Sequence, residues 1–170
     1  MAPSQAHPSI DADIPFDVVR NHVQVDYRCH YAEVLRLHPS PPVAIAELCL
    51  FRFWLACRVH RHAAAPDGID ADTGGARLRP PRGWPLPLQA GGHDIEFELG
   101  SRIEQLVESR FDLYDRFFTL GRNADDPLGL DAASLALSCQ LFVQTPPAIL
   151  ARLQAQTQQL FAALSHACAA

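Results

Sequence analysis

The chain has 170 residues, 48% of them apolar and 19% charged, and a formal net charge of −5, so it is long enough for one domain with a substantial core. Its 14 basic residues are all arginine and form no block, which leaves it without the phosphate-neutralising patch that nucleic-acid binding requires. Five cysteines, Cys29, Cys49, Cys57, Cys139 and Cys168, stand at no paired spacing and read as reduced thiols; with no secretory pattern in MAPSQAHPSIDADIP, the reading is a cytoplasmic protein.

Residues 1–14 are polar, carry Pro3 and Pro8, and are expected to form a disordered tail. From Phe16, apolar residues recur at Val19, Val23, Tyr27, Tyr31 and Val34, a helical period that runs to about Leu37, with a weak point near Val25. Pro39 ends this helix. The short turn from His38 to Pro42 makes the next helix its antiparallel neighbour.

That next stretch, VAIAELCLFRFWLACRVHRH from Val43 to His62, is apolar around almost the whole helix and is expected to be a central buried helix over 43–63. Ser40 with Pro41 and Pro42 supplies the entry, and Pro66 follows the exit. Its length, roughly 30 Å, would cross a bilayer, but Glu47, Arg52 and Arg58 each cost at least about 2.5 kcal/mol there, which excludes a membrane span. On a helical wheel Glu47, Arg58, Arg61 and His62 share a polar sector, whereas Arg52 sits among Cys49, Phe53 and Ala56 and needs a partner. Arg58, His60, Arg61 and His62 fall in the last turns, where cations complement the carbonyl end of the helix dipole.

Ala64 to Gly92 is a long Pro/Gly-rich loop. Its first half, DGIDADTGG, places Asp70, Asp72 and Gly75 as a calcium loop would, but Gly74 and Pro81 occupy positions that need oxygen ligands, so calcium is not implied. Its second half, RLRPPRGWPLPLQ, suits a polyproline II conformation that presents Arg77, Arg79, Arg82 and Trp84 to a partner protein, or folds Trp84 and the leucines back over this protein's own apolar surface.

A further helix is expected from about Asp94 to Gly121, with its core seam at Leu99, Ile103, Leu106, Arg110, Leu113, Phe117 and Leu120, widened by Val107, Phe111, Tyr114 and Phe118. Asp126 and Pro127 open another helix through about Gln144. Thr145, Pro146 and Pro147 then start the last one, whose apolar stripe is Leu150, Leu153, Leu160, Leu164 and Cys168. No alternating strand pattern or hairpin signal occurs. The fold class is all-α: a single-domain bundle of about five helices around the central buried helix.

No phosphate loop, nucleophile elbow or His-Glu-x-x-His motif is present, and the sequence leans away from an enzyme. Cys57, His60 and His62 have the residue types of a metal site, but His60 and His62 point about 160° apart on one helix, so no metal and no cofactor is implied. Arg52 and Arg110 are the candidate residues for a buried ion pair or an anionic ligand, with Glu47, Glu33, Glu104 and Glu108 as the carboxylates within reach by helix order. The run DYRCHYAEVLRLHPSPP resembles, in its tyrosines and its His-Pro-Ser step, a stretch in accessory proteins of secretion platforms, and no residue role is transferred from it. The lysine-free, Ala- and Pro-rich composition reflects a G+C-rich bacterial genome rather than a function. The functional expectation is therefore binding of another protein, as an adaptor, regulator or chaperone. The alternatives are a bundle that holds a small anionic ligand at its buried arginines and an accessory component of a secretion or assembly machine.

Overall fold

The computed structural model describes residues 16–64 and 102–169, and of residues 16–19, 62–64 and 102–104 only the backbone. The tail 1–14, the loop beyond Ala64 with Arg77, Arg79, Arg82 and Trp84, and the helix start near Asp94 lie outside the described residues. Every regular element among those described is an α-helix: α1 (Phe16–Val23), α2 (Tyr27–His30), α3 (Ala32–Leu37), α4 (Pro41–Ala64), α5 (Arg102–Leu120), α6 (Leu130–Leu141) and α7 (Pro147–Ala169).

α4 is the centre. Every residue from Glu47 to Cys57 is buried, so the helix has no solvent face over that span, and α1, α3, α5, α6 and α7 all pack against it. Its aromatic residues meet those of α5: Phe51 lies edge-on to Tyr114 at 5.1 Å, Phe53 to Phe111 at 5.5 Å, and Trp54 to Phe118 at 5.7 Å. Such perpendicular pairs match the positive edge of one ring to the negative face of another, worth about 0.5–1.5 kcal/mol each beyond the buried area. With Arg110 opposite Glu47 and Phe118 opposite Trp54, α4 and α5 run in the same direction. Parallel neighbours cannot be joined by a tight turn, so residues 65–101 carry the chain from the C-terminal end of one to the N-terminal end of the other.

The single first helix expected over 16–37 is instead three short ones. Asp26 accepts the backbone N–H groups of Arg28 and Cys29 at 3.0 and 3.2 Å, an N-cap that starts α2 and stops α1 from continuing. Tyr31, at φ −124° and ψ 30°, breaks the helix again. This segmented chain wraps α4 rather than lying straight beside it.

α6 starts later than Asp126. The Asp126 carboxylate does cap it, taking the free N–H groups of Leu130, Asp131 and Ala132 at 2.9, 2.8 and 3.3 Å, but from a turn that precedes the helix. Gly129 makes that turn at φ 73°, and a Cβ there would stand 2.0 Å from the Phe118 carbonyl oxygen. Small residues line the α6–α7 contact, where Ser134 and Thr157 hydroxyls meet at 2.9 Å and Ala133 and Ala136 are buried. On α7 the buried stripe is Ile149, Leu153, Thr157, Leu160 and Leu164; Leu150 and Cys168 lie beside it, half-buried.

Gly129→Ala combines a left-handed backbone with a backbone clash and is expected to cost about 1–3 kcal/mol. Asp126→Ala, which leaves three amides without their acceptor, should cost about 0.5–2 kcal/mol. Urea unfolding of both variants checks these values; a Gly129→Ala variant as stable as the parent would contradict the turn geometry.

Candidate functional site

α5 presents two apolar stripes one residue, hence about 100°, apart. The residues that enter the core are Val107, Phe111, Tyr114 and Phe118, all buried. The expected seam lies on the flank: Leu106, Arg110 and Leu113 are half-buried, Phe117 is 37% exposed and Leu120 is 82% exposed. This corrects the sequence reading. Gly121 explains the rotation, because its Cα approaches Ala132 of α6 so closely that an added Cβ would meet the Ala132 Cβ at 2.0 Å. That contact, with Gly129 tucked under Phe118, fixes which side of α5 turns inward. Leu128, in the turn before α6, and Leu135, on α6, are 36% and 42% exposed. Four of the exposed large apolar residues, Phe117, Leu120, Leu128 and Leu135, thus belong to the end of α5 and the start of α6, and Leu37, Val43 and Val143 are exposed elsewhere.

The two candidate arginines are both engaged inside the protein. Arg110 donates through Nε to both carboxylate oxygens of Glu47, at 3.0 and 2.8 Å, and through Nη2 to Oε1 at 2.6 Å. Glu47 is the carboxylate that was sought, and it raises the already high pKa of Arg110 through these hydrogen bonds. Tyr114 completes the group, with its hydroxyl 3.5 Å from Glu47 Oε2 and its ionisation pushed up, first by burial and then by the Glu47 charge.

Arg52 is buried with a different set of partners. It donates through Nε to the backbone carbonyl of His22 at 2.6 Å and through Nη1 to the Tyr31 hydroxyl at 3.1 Å. No carboxylate among the described residues stands within ion-pair distance of it. The His22 carbonyl belongs to the last turn of α1, where carbonyls lack intrahelical partners and carry the negative end of the dipole. Tyr27 donates to the next one, that of Val23, at 2.5 Å. Arg52 thus ties α4 to the end of α1. His22 has its pKa lowered, mainly by burial and also by the Arg52 charge, so its imidazole stays neutral beside the guanidinium.

A third polar group had not been foreseen. Trp54 donates its indole N–H to Asp115 at 2.9 Å, and Arg58 reaches the same carboxylate at 3.8 Å while its guanidinium covers the Phe118 ring at 4.8 Å. Arg122 approaches that ring at 5.2 Å, and the crowding of Arg61 and Arg122, after burial, lowers the pKa of Arg58. A buried tryptophan needs an acceptor for its N–H, and Asp115 on the inner half of α5 was the available signal.

Activated nucleophiles are not among the described groups. Burial pushes the Cys49 thiol up to about 11 and Cys57 higher still, so both stay protonated. Among the described residues no group of three or more His, Cys, Asp or Glu side chains is placed to hold a metal ion, and no helix is long and apolar enough to cross a membrane. Compared with known proteins, the chain matches no family model, no curated protein and no solved structure.

The Glu47–Arg110 pair makes a direct test. Arg110→Ala should destabilise the protein by about 2–4 kcal/mol, below the upper end for a fully buried pair because the Arg110 side chain keeps 21% of its exposure. Leucine at both positions should recover most of the loss, since the desolvated carboxylate is then gone too. Denaturant unfolding of the single and double variants measures this; a double variant no better than Arg110→Ala would show that the pair does not act as a unit.

Proposed function

We propose that this chain works in the cytoplasm by binding another protein, as an adaptor, regulator or chaperone. The observation that carries the reading is the apolar exposure at the C-terminal end of α5 and the start of α6, Phe117 and Leu120 on α5, the latter 82% exposed, with Leu128 and Leu135 next along the chain. Scattered exposed leucines are ordinary, but several in a row along one stretch of chain, as here, point to an interface. Free cysteines, two of them buried with thiols held protonated, suit a reducing compartment. An accessory role in a secretion or assembly machine is a special case of the same reading.

The anionic-ligand alternative finds less support. A ligand at Arg110 would have to displace a bidentate carboxylate, and one at Arg52 would have to enter between α4 and the end of α1. Arg77, Arg79, Arg82 and Trp84 remain candidate partner contacts from the loop.

A photo-crosslinking residue at position 120, in the native host, should give one discrete adduct with a partner protein. The adduct should vanish when Phe117→Glu places a charge beside the probe, and the same probe at exposed Gln159 on α7 should not give it. Equal labelling at both positions, or none at 120, would refute a binding role for this surface.

A further inference from the structure

Arg52 is 8% exposed and carries its charge with no carboxylate in ion-pair range among the described residues. What holds it is the last turn of α1, through the His22 carbonyl at 2.6 Å, together with the Tyr31 hydroxyl at 3.1 Å. That turn is committed further, because the Val23 carbonyl accepts from Tyr27 and the Val23 side chain is fully buried. α1 has eight residues, too few for a helix to persist alone in water, so it keeps its form only while docked.

His22 puts a titratable group at this joint. Its imidazole is half-buried and lies within the field of Arg52, and both conditions disfavour a second positive charge. A histidine in the last turn of a helix ordinarily gains from the terminal carbonyls, but here two of them already serve Arg52 and Tyr27. The helices that pack against α1, which are α4 and α7, offer no other counter-charge. On α4 the only carboxylate is Glu47, which Arg110 holds; its other ionisable groups are the cations Arg52, Arg58, His60, Arg61 and His62 and the protonated thiols of Cys49 and Cys57. On α7 the ionisable groups are Arg152, which Glu33 of α3 engages, His166 and Cys168, with no carboxylate among them. Asp26, four residues beyond His22, is occupied in capping α2.

We propose that the joint between α1 and Arg52 is an acid-sensitive latch: protonation of His22 sets an imidazolium beside a guanidinium that no carboxylate balances, and α1 leaves α4, uncovering Arg52 and Val23. The direction follows from linkage. In the open form His22 has its ordinary pKa of about 6.5 and binds the proton more readily than in the closed form, where its pKa is lowered. Opening is therefore favoured as pH falls through that value, and the effect levels off once the closed form is protonated as well. Between pH 7.5 and 5.5 the gain in opening is bounded at about tenfold. The latch is independent of the apolar residues at the end of α5 on which the binding role rests.

Hydrogen exchange of the full chain followed by NMR at pH 7.5 and 5.5, corrected for the intrinsic effect of pH on exchange, tests this. The amides from Arg20 to Gln24, which donate within the last turn of α1, should exchange roughly three- to tenfold faster at pH 5.5, with the amides of α6 as the reference. His22→Gln, neutral at both pH values, should remove the difference. In the parent chain the His22 imidazole should titrate below its ordinary value, a measurement that keeps the test decisive even where the glutamine variant does not fold. Exchange in α1 that ignores pH relative to α6 overturns the proposal. So does an acid response that persists in folded His22→Gln, because the proton then acts elsewhere, and so does a His22 that titrates at or above its ordinary value.

Discussion

A helix with no solvent face must be enclosed on all sides, and α4 imposes that requirement on the whole chain. From Glu47 to Cys57 it offers neighbours nothing but apolar surface and two charges, and five other helices cover it. The charges decide how. A buried ion left alone costs several kcal/mol, so Glu47 obliges α5 to bring Arg110 alongside, and Arg52 obliges the chain before α4 to present a helix end and a phenol. The polar residues of α4 are thus its docking instructions. They hold α5 alongside α4, with Arg110 level with Glu47 and Phe118 level with Trp54.

Much of this was legible because it depends on local chemistry. The all-round apolar pattern located α4 almost to its ends, Pro41–Ala64 against the expected 43–63, and the prolines at 41, 42, 146 and 147 marked helix starts correctly. Arg110 stood out as a conflict within a leucine stripe, and Glu47 was among its named partners. What stayed hidden depends on contacts between distant segments. A helical wheel shows that α5 has two adjacent apolar stripes, but the choice between them is made by Gly121 against Ala132 and by Gly129 beneath Phe118, which no periodicity encodes. Likewise a search for carboxylates near Arg52 could not find a backbone carbonyl, and the cap at Asp26 was outweighed by an apolar period that ran straight through it. The charged and proline-rich residues of the loop, Arg77 to Trp84, lie outside the described residues.

The interior also bears on what the protein does. Its arginines, its buried tryptophan and its buried hydroxyls are occupied with one another, and its core thiols and phenols are held in their neutral forms. Among the described residues Gln156 Oε1 is an exception, a buried acceptor with no donor, on a side chain whose amide N–H already serves His30. Groups committed in this way stabilise the fold. The proposed binding role rests on the apolar residues exposed at the end of α5 and the start of α6.

If α4 is the element on which everything else depends, its amides can exchange with solvent only when the whole protein unfolds. Native-state hydrogen exchange measures this residue by residue. The account predicts that the amides of Leu48 to Val59 share one opening free energy, equal to that of global unfolding in denaturant, with the short helices α1–α3 opening at lower cost. Amides in α4 that exchange through a cheaper opening while those of α6 and α7 remain protected would contradict it, and would place the organising core in the C-terminal pair instead.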